Sequence, residues 1–328
     1  LRKLNRLIAL TVLKNFDINK NIAFNELFNL NNTKHKLNIN DLGFLVGPIL
    51  NAGGRLGKSN LASELLSSDN LEIVNIKSSE LIKLNNKRKK IETLIIDEID
   101  FDKIENENND VIVYYNPNIN EGLIGIIASR LKDYFNKPSI VITSSNKLLK
   151  GSARSVSNYN IGRAIKNSLD NNIIINGGGH NAAAGFTLDK VNLKNFENFI
   201  LEDFSNASVS KNNFFLYDAE VSSFALNMDF YCEIKKLEPF GTANPSPTFL
   251  IKDLKIIKTT ILDNKHISLV LKSKTGLTIK SISFNSVKNK VGEYLLNYKN
   301  NLNVLGQINE NIWNNKKTLQ LTISDLII

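Results

Sequence analysis

The chain has 328 residues, enough for two or three domains of roughly 100–150 residues each. It is 42% hydrophobic and 22% charged, with a formal net charge of +9, and no apolar run approaches the ~18 residues of a membrane span. Composition therefore excludes a bundle of membrane helices and favours a polyanionic partner, although the Asn, Ile and Lys abundant along the whole chain also fit an AT-rich genome.

A single cysteine, Cys232, excludes an internal disulfide and suits a reducing cytoplasm. With only His35, His180 and His266 besides, a zinc site of ordinary spacing is excluded too. The first residue is Leu1, and LRKLNRLIALTVLKNF reads as an amphipathic helix already under way, so the expected N-terminus lies upstream. Asn40 or Asp41 is a candidate cap for the next helical segment. From Ser78, the run SSELIKLNNKRKKIETLIIDEID places Leu81, Leu84, Ile91, Leu94, Ile95 and Ile99 near one stripe, which predicts a long connector helix capped by Ser78 or Ser79. Between 110 and 205 the pattern alternates. VIVYY and SIVITS read as strands, LLKGSARSV holds a strand edge, and residues 122–135, IGRAIKNSLD and residues 191–204 read as helices. This is the alternation of an α/β domain. After 213 come FFLYDAEV, TFLIKDLKIIKTTIL, HISLVLKS, LTIKSISFN, LNVLGQINE and KTLQLTISDLII, a series of strands that predicts a small barrel or sandwich. LEPFGTANPSPTF, with three of the six prolines, is the rigid loop leading into it.

AGGRLGKS at 52–59 comes close to the phosphate-loop pattern, and LIIDE at 94–98 imitates the acidic strand that goes with it. That makes a P-loop ATPase an alternative. Context opposes it: such a loop follows a central strand, Pro48 stands just upstream, and LIIDE belongs to the helical stripe. Three other segments suit an anion. Asn51, Gly53, Gly54 and Arg55 form a glycine-rich turn with a guanidinium fork, against the reading of a surface arginine after a turn. Lys150, Gly151, Ser152, Arg154 and Ser155 combine hydroxyls, cations and uncovered backbone, against a solvated strand end. Gly177, Gly178, Gly179 and His180 precede three alanines. They read either as bare amides at a helix N-terminus with a proton-carrying side chain, or as a tight turn into a crowded core. Three small, cation-bearing segments and a barrel in one basic chain make a polynucleotide backbone the best single ligand.

GPILNAGGRLGKSNLASELL, NEGLIGIIASRLKDYFNKP, LKGSARSV, GGGHNAAAGFTL, LEPFGTANPSPTF and INENIWNNKKTLQL, in that order, resemble the RecJ family of the DHH phosphoesterase superfamily over essentially the whole chain. The resemblance implies an α/β plus all-β chain in these parts: a helical remainder of the DHH-side core (1–77), a connector helix (78–105), a DHHA1-type α/β domain (106–206) and an OB-type barrel (207–328). It implies a 5′→3′ exonuclease specific for single-stranded DNA in repair and recombination. It also implies Mn2+ or Mg2+ held by an upstream DHH domain whose motifs are absent here, so that this chain alone is inactive. Asn51, Arg55, Ser152, Arg154, Gly177, Gly178 and Gly179 become DNA-phosphate contacts, and His180 a catalytic or phosphate-orienting residue. Ile49 and Asn120 stand where many relatives carry arginine and histidine, which removes two phosphate contacts. Single-stranded DNA is the expected partner, with a single-strand-binding protein and a helicase as candidate protein partners. The alternatives are a non-catalytic nucleic-acid-binding module and a small-nucleotide phosphodiesterase. Phe240, Phe249 and Trp313 are aromatic residues of the barrel region that suit a core better than a stacking platform.

Overall fold

A computed structural model describes residues 1–33, 35–207, 216–298, 300–313 and 316–327, with side chains excepted at 312, 313 and 316. The chain divides into two compact units, Phe16–Asn212 and Leu1–Asn15 with Asn213–Ile328. The first helix, α1 (Lys3–Asn15), thus joins the C-terminal unit. This corrects the expectation that it continues the helical core. Arg2 Nε donates to Ala243 O at 2.9 Å and Arg6 Nη2 to Glu238 O at 2.8 Å.

The larger unit begins with α2 (Ile22–Leu30), a π-helical turn at Asp41–Val46, α3 (Gly47–Arg55) and α4 (Leu61–Ser67). These pack on the long helix α5 (Leu71–Glu98), followed by the short α6 (Phe101–Asn106). Asn40 makes no side-chain cap, and the Asp41 carboxylate instead accepts from the Asn38 N–H and contacts the His35 ring. The connector helix starts seven residues before the expected Ser78. The Asn70 carboxamide accepts from the N–H groups of Glu72 and Ile73, the N-cap geometry that satisfies otherwise unpaired first-turn donors. Ser78 is buried in mid-helix with its hydroxyl unpartnered among the described residues. Val74, Ser78, Leu81, Asn85 and Glu92 recur every three, four or seven residues, so they share the buried stripe. The helix ends at Glu98, where the chain turns extended at Ile99.

The same unit continues as β1 (Ile112–Tyr115), α7 (Ile124–Phe135), β2 (Ser139–Ser145), β3 (Leu148–Arg154), α8 (Ile161–Asp170), β4 (Asn176–His180), β5 (Ala183–Leu188) and α9 (Leu193–Asn206). The sheet order is β1-β2-β3-β5-β4, with β1 and β2 parallel and the other pairs antiparallel. One face is fully covered. Ile140, Ile142, Leu149, Ala153, Ala184, Phe186 and Leu188 pack there against α8 and α9 through Ile161, Ile165, Phe196 and Ile200. On the opposite face α7 buries Ile127, Ala128 and Leu131 with Val141 and Ile112. It lies against β2 and β3, which leaves β5 and β4 bare on that side.

In the C-terminal unit the described strands are β6 (Ala219–Glu220), β7 (Phe249–Leu262), β8 (His266–Ser273), β9 (Thr278–Ser283), β10 (Leu302–Trp313) and β11 (Lys316–Ile327). The strand expected over FFLYDAEV is reduced to β6, and Phe214 and Phe215 lie outside the described residues. Strands β7-β8-β9-β11-β10 close through the β10–β7 pairing, with β9 and β11 parallel. Five strands closed with this one parallel contact make an OB-type barrel. Helices α10 (Met228–Lys235) and α11 (Lys290–Asn297) escape the strand-period reading, and both are capped, by Asn227 and Asn289. Inward residues of the strands form the core, among them Phe249, Ile251, Leu269, Leu271, Val304 and Ile323, with Phe240 packed against it. The Trp313 side chain lies outside the described residues.

Candidate functional site

The phosphate-loop imitation falls first. Pro48 sits in the first turn of α3, where its missing N–H costs nothing, and residues 47–55 are helical, as is LIIDE within α5. The glycine-rich turn expected at 51–55 is therefore the C-terminal five residues of a helix. Asn51 and Arg55 stand four residues apart and so on one face of it. Ile49 is buried in the core of this unit.

Arg55 reaches the loop that leads into α7. Its Nη1 donates to Gly122 O at 3.0 Å, and Gly122 lies so close to the Arg55 main chain that a Cβ there would strike the Arg55 carbonyl. Asn120 shapes this loop as a local cap, its carboxamide oxygen accepting from Gly122 N at 2.8 Å. From the other side comes β3. Arg154 Nη1 donates to Ser152 Oγ at 3.1 Å and to Ala153 O at 2.8 Å. A Cβ on Gly125, in the first turn of α7, would lie 2.8 Å from Arg154 Nη2 and 3.1 Å from Ser152 Oγ. Arg55, Ser152 and Arg154 thus meet at one helix N-terminus.

The electrostatics record the same convergence. Burial lowers the Arg154 pKa, and the Arg55 charge lowers it further. Burial likewise lowers that of Arg55, followed by repulsion from Arg88, with Glu92 opposing. Neither Arg55 nor Arg154 is ion-paired with a carboxylate among the described residues. Arg88, Glu92 and Arg130 are members of this cluster that the sequence reading missed. The buried Glu92 carboxylate takes Arg88 at 2.8 Å and Arg130 at 2.8 Å, fastening α5 to α7. Their only sequence signal is the i, i+4 spacing of Arg88 and Glu92.

The glycine segment corrects the expected helix start. NGGGH is β4 and AAGFTL is β5, a hairpin in which Ala183 and Ala184 belong to a strand and Ala182 to the turn. The burial of β5 alternates with the two-residue period of a half-covered sheet, which wins over the helix propensity of alanine. Paired residues share a face, so Arg154, Ala183 and His180 form one row, Ser152, Gly185 and Gly178 the next, and Lys150, Thr187 and Asn176 a third. All three rows lie on the face left bare beyond α7. Gly177 and Gly179 point the other way. A Cβ at Gly177 would lie 2.8 Å from Ile174 and 2.9 Å from Ile165, and one at Gly179 would collide with Ala183 and Ala184. These two glycines are explained by packing, and of the three only Gly178 faces outward.

His180 is exposed, two strands or about 10 Å from the Arg154 strand. Its Nδ1 accepts from Ala182 N at 3.3 Å, so the neutral ring carries its proton on Nε2. The bare face and the 121–124 loop enclose an open cleft of about 580 Å3. No group of three or more His, Cys, Asp or Glu side chains able to hold a metal occurs among the described residues.

A half-covered five-stranded sheet with two half-buried arginines at the start of α7, together with a closed five-stranded barrel, defines an α/β module accompanied by an OB module. Residues 108–206 match the DHHA1 domain and residues 217–325 the RecJ OB domain. The chain resembles the RecJ family in both of these domains. It is 28% identical to the single-stranded-DNA-specific exonuclease RecJ of Bacillus subtilis over 99% of this chain and 42% of the relative, and 28% identical to that of Escherichia coli over 86% and 53%. The RecJ of Thermus thermophilus, solved in complex with Mn2+, has the same fold at a TM-score of 0.80. It is 22% identical over 99% of this chain and 46% of that one. The chain spans about half the length of the curated relatives it matches.

Proposed function

We propose that the chain is the substrate-gripping part of a 5′→3′ exonuclease acting on single-stranded DNA in repair and recombination. The observation that carries this reading is the pair of half-buried guanidiniums, Arg55 and Arg154, converging with Ser152 on one helix N-terminus without a carboxylate partner among the described residues. Uncompensated, partly desolvated cations at a helix start favour a phosphate group.

In this reading Arg55, Ser152 and Arg154 hold the phosphate, and Asn51 extends the contact along α3. Gly178 lets the strand lie close to the sheet, and His180 Nε2–H donates to a phosphate oxygen. Gly177 and Gly179 shape the hairpin and contribute only main chain. The chain's own residues hold and orient the anion. Mn2+ or Mg2+, each present in a crystal structure of the Thermus thermophilus RecJ, is assigned to protein outside these residues, where the metal would activate water and offset charge on the phosphate. The barrel tracks the strand, as OB modules do. The chain works in the cytoplasm, and a single-strand-binding protein and a helicase are its candidate protein partners.

The test has two arms. In the complete protein, Arg154→Ala and His180→Ala each reduce cleavage of a labelled single strand at least tenfold with Mn2+ or Mg2+. In the 328-residue chain, Arg154→Ala weakens binding of the same strand with an unchanged circular dichroism spectrum. Parental cleavage and binding in both variants would remove the assignment.

A further inference from the structure

The bare sheet face beside α7 has two chemically different ends. At one, Arg55, Ser152 and Arg154 gather positive charge. Two rows along the sheet, the charge is neutralised. Lys150 Nζ lies 2.7 Å from Glu121 Oε2, which also accepts from Ser145 Oγ at 2.9 Å. Beside this pair stand Thr187 and Asn176, on the same face and lining the same cleft. Asn176 offers a carboxamide, both donor and acceptor, and Thr187 a hydroxyl, and neither side chain is hydrogen-bonded among the described residues. The Arg154 row and the Lys150 row are four residues apart, or about 13 Å along β3.

Between the ends the floor is flat. A Cβ on Gly178 would meet nothing within 4 Å, and one on Gly185 only the Gly151 carbonyl oxygen at 3.8 Å. Packing demands glycine at neither position, in contrast to Gly177 and Gly179 behind them. A side chain at either would stand up into the cleft and fill the space over the sheet.

We propose that the neutral end, Asn176 and Thr187 beside the Lys150–Glu121 pair and over the Gly185 floor, is a nucleoside subsite. It receives the sugar and base of the nucleotide whose phosphate sits at Arg55 and Arg154, and so adds recognition of the terminal base to that of the phosphate. This rests on the reading of the cationic end as a phosphate site. Charge complementarity selects the occupant: one anionic group at one end, a neutral body with a hydrogen-bonding edge at the other, and a length near 13 Å. A run of phosphates does not fit, because Glu121 would face the second one.

The probe is a short 5′-phosphorylated oligothymidylate with a 3′ fluorophore, bound to the 328-residue chain and followed by anisotropy. A second probe has an abasic first residue, and a third an abasic residue in the interior. The subsite predicts about tenfold weaker binding when the first base is missing. Asn176→Ala and Gly185→Val each bring that ratio below about threefold and leave the effect of the interior lesion unchanged. Asn176→Ala changes an exposed side chain, so it keeps the test sound if Gly185→Val fails to fold. Equal binding of the first two probes by the parent chain, or a full preference retained in Asn176→Ala, overturns the subsite while leaving the phosphate reading intact. Failure of the parent chain to bind any of the probes overturns both.

Discussion

Arg55 and Arg154 carry charge into a place where charge is disfavoured. Burial lowers the pKa of both, and so does a neighbouring cation, Arg88 for Arg55 and Arg55 for Arg154, which means that the folded state holds these cations at a cost in free energy. A structural arginine would be paired with a carboxylate, as Arg88 is with Glu92. Two expectations follow from the difference. Arg154→Met keeps much of the side-chain volume, so the chain should melt at the same temperature or slightly above the parent in a calorimetric scan, while single-strand affinity falls at least tenfold. Conversely, millimolar pyrophosphate should raise the melting temperature of the parent and not that of Arg154→Met. A variant that loses stability and binding together would mark Arg154 as a packing residue.

At the scale of elements, Glu92 holds two guanidiniums and through them two helices. Glu92→Gln leaves Arg88 buried without its partner, a change that costs roughly 3–5 kcal/mol when a pair is wholly buried. About 2–4 kcal/mol is expected here in urea unfolding, because Arg130 is half-exposed. The same substitution removes a negative charge near the cleft. Plain Coulomb attraction would then tighten DNA binding, whereas loss of the α5–α7 clamp loosens it, so the sign of the affinity change decides. A second element, β11, carries Asp325 half-buried in the barrel wall. Burial raises its carboxyl pKa against the lowering effect of the Leu326 N–H that it accepts. The folded state therefore binds this proton more tightly than the unfolded chain. Stability contributed by the group is gained as pH falls through the raised value and is absent at neutral pH. Asp325→Asn should melt above the parent at pH 7, and the gap should close below about pH 3.5, where the unfolded carboxyl is also protonated.

These elements show what could be read in advance. Barrel strands and α7 announce themselves through period, because their apolar residues repeat at the spacing of the covered face. The hairpin did not, because glycine and alanine carry no period: the fate of Gly177–Ala184 was decided by Phe186, Ile165 and Ile174 packing behind it. Asn70 was missed as a cap because Ser78 and Ser79 offered the same chemistry nearer the conspicuous stripe. Arg55, Ser152 and Arg154 were legible as residue types suited to phosphate. Their convergence was not, since Arg55 and Arg154 are brought together only by the intervening α7 loop. The Glu92 clamp was hidden for the same reason, as Arg130 lies 38 residues away.

Over the whole molecule the charge of +9 becomes informative only where its location is known. In the barrel, Lys255 and Lys272 are directly opposed in the β7–β8 ladder, and Lys258 and Lys280 flank Val270 in an adjacent row. All four lysines are exposed, and none is ion-paired with a carboxylate among the described residues. Like charges placed opposite each other destabilise a sheet by roughly 0.2–1 kcal/mol, so this face is better suited to a polyanion than to water. If the strand runs over it, each neutralised phosphate contributes about −0.7 to the slope of log K against log salt. Replacing Lys255 and Lys272 together by Gln should then make the slope for a strand of about 20 nucleotides shallower by about 1.4. It should also raise the melting temperature of the chain, and leave the fold-effect of a missing terminal base as it was. The cleft and the barrel are thereby separable in one titration series: the lysine variants change the salt dependence, and Asn176→Ala changes the base preference. An unchanged slope in the double lysine variant would show that the strand avoids this face of the barrel, whatever the cleft binds.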